Sequence, residues 1–376
     1  MPFPSLEGFF STRSELSDVV SICVEPSTIY IEELRGRRGL SFDFAIENRG
    51  SEDLELRFLK AVAYDSAEDL VTYRYVNRNS VGPSGIDTLG VSAIPAGETV
   101  DVYNPFPEWP ADLAIARVRY TFTFVENESR REVYVGDVEI LPQTYEQETE
   151  LQIPMKGLLT VIDGHDYLSH HRRFAMSLVR RVTNGAFAVN FGRFSFDFAV
   201  IGEDGNLAQM DQGEISGNRD FHFTNIRKSY TDGAPVFAPA AGLVVNAVND
   251  LEDMYDGAFD TDAAFREGRV QDIAGNRVAI QHSEQEYSHL FHFKKGSLAV
   301  STGDLVEQGQ LLGEIGFSGT ATVYSHLHYQ LMDGADFLTA QALPVWFSEV
   351  TLVRGRERIH LPRTVPETGD FLLAQA

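Results

Sequence analysis

Cysteine is almost absent: Cys23 is the only one in 376 residues. A disulfide within the chain is therefore excluded, as is any cysteine-rich zinc or iron–sulfur site. Positive charge is also scarce. There are 31 Lys and Arg against 55 Asp and Glu, a net charge of −24. Nucleic acids and anionic membranes want a basic patch, so neither is an expected partner. No run reaches the roughly 18 apolar residues of a membrane span. Met1 to Val20 carries Glu7, Arg13, Glu15 and Asp18 and lacks the apolar centre of a signal peptide. Helical periodicity is weak; its best stretch is 256–266, around Phe259, Ala263 and Ala264. The acidic stretch Asp250 to Asp262 lacks the order of a calcium loop and reads as a solvated insertion. Gly303, Gly309, Gly313, Gly316 and Gly319 form neither a phosphate loop nor a dinucleotide fingerprint. They read as turn glycines, with hairpin strands at 298–306 and 310–315.

What remains is a mostly β chain, 43% hydrophobic and long enough for two or three domains. Residues 1–20 read as a lead-in. From 21 to 145, short β segments are expected at 26–31, 40–47, 54–64, 70–76, 98–103, 113–124 and 131–140. Leu40 to Ile46 alternates apolar residues with Ser41 and Asp43, and Arg119 to Phe124 is β-branched and aromatic. About seven such strands suggest an immunoglobulin-like β-sandwich that supports or binds. The polar run Gln143 to Glu150 reads as a join. Beyond it lie all ten histidines, nine of them in a second, antiparallel-β domain over 146–350. The tail, 351–376, reads as a peripheral strand and a loose end.

The chemistry concentrates in that second domain. His326 and His328 flank Leu327 in an alternating run, so both rings can leave one face of a strand. Such a pair needs a carboxylate or a third histidine to hold a metal. Asp197 offers the carboxylate, on a run where Ser195 shares its face and Phe194, Phe196 and Phe198 fill the other. Gly164 to Arg173 holds His165, His170 and His171, any of which could be the third ligand. His289 and His292, three apart on a strand, should face opposite sides.

These stretches resemble the lysostaphin/LytM-like zinc metallopeptidases, the M23 peptidase family, from about Leu159 to Phe347. The resemblance is carried by Asp232 to Val244, Gly275 to Ile280, Tyr287 to Leu290, Gly296 to Val300, Gly303 to Gln310, Gly316 to Gly319, and His326-Leu327-His328. It implies an antiparallel-β metallopeptidase fold and a Zn²⁺ held by Asp197, His328 and an earlier histidine. It implies His326 as a catalytic histidine and, from the Tyr-x-His-Leu run, His289 as the other, with His292 as the alternative. The sequence departs from the family at the first ligand, where Arg193 stands four residues before Asp197. His171 is the expected donor, with His170 and His165 open. Asn190 is a weaker candidate for that corner, because an amide oxygen ligates zinc less well than imidazole.

The implied activity is zinc-dependent hydrolysis of peptide bonds in bacterial cell walls, with peptide or peptidoglycan as the partner. The alternative is a catalytically inactive module that binds a wall component or regulates a hydrolase. An extracytoplasmic site of action follows from the resemblance, whereas the opening residues suit a cytoplasmic one as well. Zn²⁺ would make hydroxide available near neutral pH, flanked by His326 and His289, while Tyr324 and Tyr329 read as wall residues.

Overall fold

A computed structural model describes residues 18–91, 93–166, 169–172, 190–209, 228–255, 259–320 and 325–374. The chain is mostly β and forms two compact units, Met1–Thr144 and Tyr145–Ala376.

The first unit has eleven strands among its described residues. They are β1 (Val20–Glu25), β2 (Tyr30–Leu34), β3 (Arg37–Leu40), β4 (Asp43–Asn48), β5 (Leu54–Tyr64), β6 (Leu70–Asn77), β7 (Thr99–Tyr103), β8 (Glu108–Pro110), β9 (Arg117–Glu126), β10 (Glu132–Ile140) and β11 (Gln143–Thr144). They form three sheets in the orders β1-β4-β7, β10-β9-β5-β6 and β11-β2-β3-β8. One apolar cluster includes Phe42, Phe44, Leu56, Leu59, Tyr120, Phe122 and Phe124. Two expected strands differ. Pro26 has no N–H for a ladder, and of 26–31 only Tyr30 and Ile31 are strand, at the start of β2. The alternation at 40–47 runs across a change of partner: β3 pairs with β2 and β8, β4 with β1 and β7. Periodicity reports which face is buried, not which sheet a residue joins.

The second unit is built on one large antiparallel sheet. Its strands are β12 (Gly157–Asp163), β13 (Phe196–Val200), β14 (Pro235–Phe237), β15 (Gly242–Val248), β16 (Asn276–Gln281), β17 (Tyr287–Phe293), β18 (Leu305–Val306), β19 (Leu311–Glu314), β20 (Leu327–Met332), β21 (Ala342–Leu343), β22 (Phe347–Arg354), β23 (Glu357–Thr364) and β24 (Phe371–Ala374). The main path runs β18-β15-β16-β17-β20-β13-β12-β24-β22-β23, while β14 pairs with β19. The strands carrying Asp197, His289, His292 and His328 are therefore neighbours in mid-sheet, where register is firmly specified by burial on both faces.

Three expectations change. The hairpin at 298–315 does not form, because β18 pairs with β15 and β19 with β14. The turns themselves are present: Gly303 and Gly309 have φ of 99° and 77°, where glycine is favoured. The tail is not loose. β22 runs through the expected boundary at 350, and β24 pairs with both β12 and β22, burying Leu372. The helical stretch shrinks to α1 (Thr261–Arg266), capped by the Asp260 side chain, which accepts from the Ala263 N–H at 2.8 Å. Residues 256–258 of that stretch lie outside the described residues.

Candidate metal centre

β13 and β20 set the register that makes the site. Asp197 pairs directly with His328, and cross-strand partners share a face of the sheet. The His328 Nδ1 lies 3.0 Å from Asp197 Oδ1. His326, just before β20, brings its Nε2 to 3.5 Å from the same oxygen. The two-residue spacing thus delivers both rings to one carboxylate.

A third imidazole arrives from the turn after β12. His171 Nε2 is 3.5 Å from Asp197 Oδ1, and its ring packs edge-on to His328, centroids 5.1 Å apart. Donor atoms of His171, Asp197 and His328, all buried, lie within 4.8 Å of one another. The His171 Nδ1–H donates to the Gly164 carbonyl at 3.1 Å, leaving Nε2 with the lone pair that faces the group. On His328, Nε2 lies 3.5 Å from Gln330 Oε1, which itself accepts from the Ser195 hydroxyl at 2.9 Å. The Phe291 ring stacks on His328 at 5.1 Å.

The electrostatics suit a cation. Burial lowers the pKa of His171 to about 3, keeping the ring neutral. Burial alone would raise that of Asp197, but His326 and the His328 hydrogen bond outweigh it and hold the carboxyl well below its ordinary value. Neutral imidazole and ionised carboxylate are the ligating forms. The donor set, two imidazoles and one carboxylate, fits zinc.

The other candidates separate cleanly. His165 packs edge-on against Phe194 and Phe196, with centroids at 5.8 and 4.8 Å. His170 is exposed and paired with Asp163. With His171 these two form a second group of donors within 4.8 Å, outside the one on Asp197. Asn190 is excluded from the corner: its Nδ2 donates to the Ala342 carbonyl at 3.0 Å and its Oδ1 accepts from the Ala342 N–H at 2.6 Å. Arg193 is fully buried.

His289 and His292 exchange places relative to expectation. His289 sits opposite Gln330, with its Nε2 tied to the Gly334 carbonyl at 2.9 Å and its ring against Phe291 and Phe337. His292 lies in a bulge, with φ of 69°, where Asn276 pairs with Phe293 but Arg277 pairs with Phe291. The extra residue turns it toward the site. Its ring is 4.9 Å from that of His326, and its Nδ1–H donates to the Ser318 carbonyl at 2.8 Å. Tyr329 is core, not wall: it packs on Phe347 and hydrogen-bonds Ser288. Tyr324 lies outside the described residues. Sequence reasoning missed Gln330, although its two-residue offset from His328 put it on the same face.

The model of peptidase family M23 matches residues 224–339, a span that contains His292, His326 and His328. The C-terminal half carries an M23 peptidase domain. The match begins after His171, Arg193 and Asp197. A search of curated proteins finds no match. Among solved structures, the chain is similar to the catalytic domain of lysostaphin from Staphylococcus simulans, described as an antimicrobial peptidase. The two are 23% identical over 31% of this chain and 76% of that one, with a TM-score of 0.21. It is also similar to the catalytic domain of the prophage-encoded M23 protein EnpA from Enterococcus faecalis (20% identity, 39% and 92% covered, TM-score 0.22). A third is pseudoalterin, described as an M23 metalloprotease from the deep sea (12% identity, 57% and 96% covered, TM-score 0.28).

Proposed function

We propose that the M23 domain is a zinc-dependent endopeptidase acting on peptides of the bacterial cell wall. One observation carries the reading: three imidazole nitrogens lie 3.0 to 3.5 Å from a single buried carboxylate oxygen. His171, Asp197 and His328 would hold the ion. An ion held there would supply Lewis acidity and would lower the pKa of a bound water from about 15.7 toward about 7. His326 and His292, ring against ring, then flank the reacting carbonyl. The Ser318 carbonyl holds the Nδ1 proton of His292, so its Nε2 is free to accept the proton of the attacking water and later return it to the leaving amine. His326 faces the oxyanion that develops as the carbonyl is attacked.

The cell-wall substrate comes from the family resemblance, and such a substrate puts the action outside the cytoplasm. No helix among the described residues is long and apolar enough to cross a membrane. The alternative of an inactive module drew on Arg193 standing where the family has histidine. His171, reaching Asp197 from another segment, weakens that motive and supports the active reading.

Metal analysis and peptide assays test the reading. Purified protein should carry about one zinc per chain, and a chelator should abolish hydrolysis of wall peptides. Asp197→Ala and His328→Ala should each lose both metal and activity. Fully folded wild-type protein with no affinity for zinc would sink it.

A further inference from the structure

The outer face of the sheet β10-β9-β5-β6 carries an aromatic strip that the peptidase chemistry does not use. Tyr73 and Tyr75, two apart on the edge strand β6, share a side and are 52% and 53% exposed. Their planes lie within 11° of each other, centroids 6.5 Å apart. Phe58 extends the strip, 5.7 Å from Tyr75 at 24°. Register then sets a band of N–H donors beside the rings. Lys60 is opposite Tyr75 and, on its other side, Thr121; Val62 lies between Tyr73 and Arg119. Arg117 and Arg119 lie over the Tyr64 ring at 4.3 and 5.4 Å, and Arg119 donates to the Tyr64 hydroxyl at 2.7 Å. Glu68, Glu139 and Asp137 pair with these two arginines. Lys60 sits between the arginines and the rings, close enough to Arg119 that the two charges repel.

The occupant can be argued from this chemistry. A protein interface wants a desolvated core in which aromatic and aliphatic groups pack together. Here the large exposed apolar side chains of the first unit are the two tyrosines, with Val81 and Leu141 as the only aliphatics among its described residues. Nucleic-acid bases also stack on such rings, but they come with a phosphate at every step. Beside these rings Lys60, Arg117 and Arg119 stand against Glu68, Glu139 and Asp137, a balance that does not meet a phosphate at every step. Near-parallel rings bordered by N–H donors suit a partner with flat C–H faces, a rim of oxygens and sparse negative charge. Pyranose chains carrying carboxylates have that form.

We infer that the Phe58–Tyr75–Tyr73 strip binds an acidic amino-sugar glycan strand, the rings stacking under the sugars and Lys60 and Arg119 facing their carboxylates. The choice of a wall glycan rests on the peptidase reading above.

The test uses the full chain and glycan strands of peptidoglycan freed of their stem peptides, so that the peptidase site has nothing to grip. Neutral chitohexaose is the comparison. Titration should give saturable binding to the strands, weakened about tenfold or more by Tyr73→Ala combined with Tyr75→Ala. That variant should hydrolyse a soluble wall peptide as the wild type does, and its thermal unfolding and circular dichroism should match the wild type's, which shows that the first unit folds. A double variant that binds like the wild type, or a wild type that binds no strands, overturns the proposal. Equal affinity for chitohexaose overturns the acidic assignment. A wild type that binds strands yet hydrolyses no wall peptide leaves the glycan site standing and removes the peptidase reading alone.

Discussion

His171 shows how a single backbone contact selects among neighbours. It adjoins His170, yet the Gly164 carbonyl turns one ring inward while Asp163 holds the other at the surface. The two-residue spacing and the family resemblance together pointed to Asp197, His326 and His328 as one constellation. They could not separate His171 from His170 or His165, because that choice depends on which carbonyl each ring meets. The same reasoning extends outward to Gln330 and Ser195, whose hydrogen bond sets the oxygen that faces His328 Nε2. Groups that orient a ligand in this way are worth about 10–100-fold in metal affinity. Competition against a chromophoric chelator should therefore show zinc binding lost in His171→Ala, retained in His170→Ala, and weakened by about that factor in Gln330→Ala and Ser195→Ala. Equal losses in the His170 and His171 variants would contradict the assignment.

β17 and β24 matter as elements more than their composition suggests. In β17, strict alternation would send His289 and His292 to opposite faces. The bulge at 291–293 adds a residue and brings His292 against His326, while His289 is tied to Gly334. A bulge has no periodic signature, so the alternation of β17 was legible and its irregularity was not. His292→Ala should lower kcat by about 10²–10⁴-fold, the usual weight of a general acid–base group, while leaving zinc content unchanged. His289→Gln should keep most of the activity. The reverse ranking would restore His289 to the site. β24 was illegible for another reason: four residues, Phe371 to Ala374, give too short a pattern to mark a strand. Its pairing with β12 and β22 nevertheless buries Leu372 completely. Leu372→Ala should cost about 2–5 kcal/mol in urea unfolding of the second unit. A cost below about 0.5 kcal/mol, as for a surface site, would mean that the tail is peripheral after all.

For the molecule as a whole, sensitivity to acid follows from keeping histidines uncharged inside it. Burial lowers His289 to about 4, against about 6.5 in an unfolded chain. Between those values the unfolded state binds a proton that the folded state refuses. The contribution of His289 is thus fully present above about pH 6.5 and shrinks by about 1.4 kcal/mol per unit as pH falls toward 4. The net charge of −24 works the other way. Protonating carboxylates relieves self-repulsion and steadies the folded chain as pH falls. A single acid denaturation curve therefore mixes the two effects, but a difference between proteins does not. In His289→Gln the amide can still donate to the Gly334 carbonyl, and the charge elsewhere is unchanged. Urea titrations of metal-stripped wild type and His289→Gln at pH 7, 6 and 5 should converge, the wild type losing its advantage as the pH drops. Curves that stay parallel over that range would mean that His289 takes up its proton equally in the folded and unfolded chain, which its sealed position between Phe291 and Phe337 does not allow.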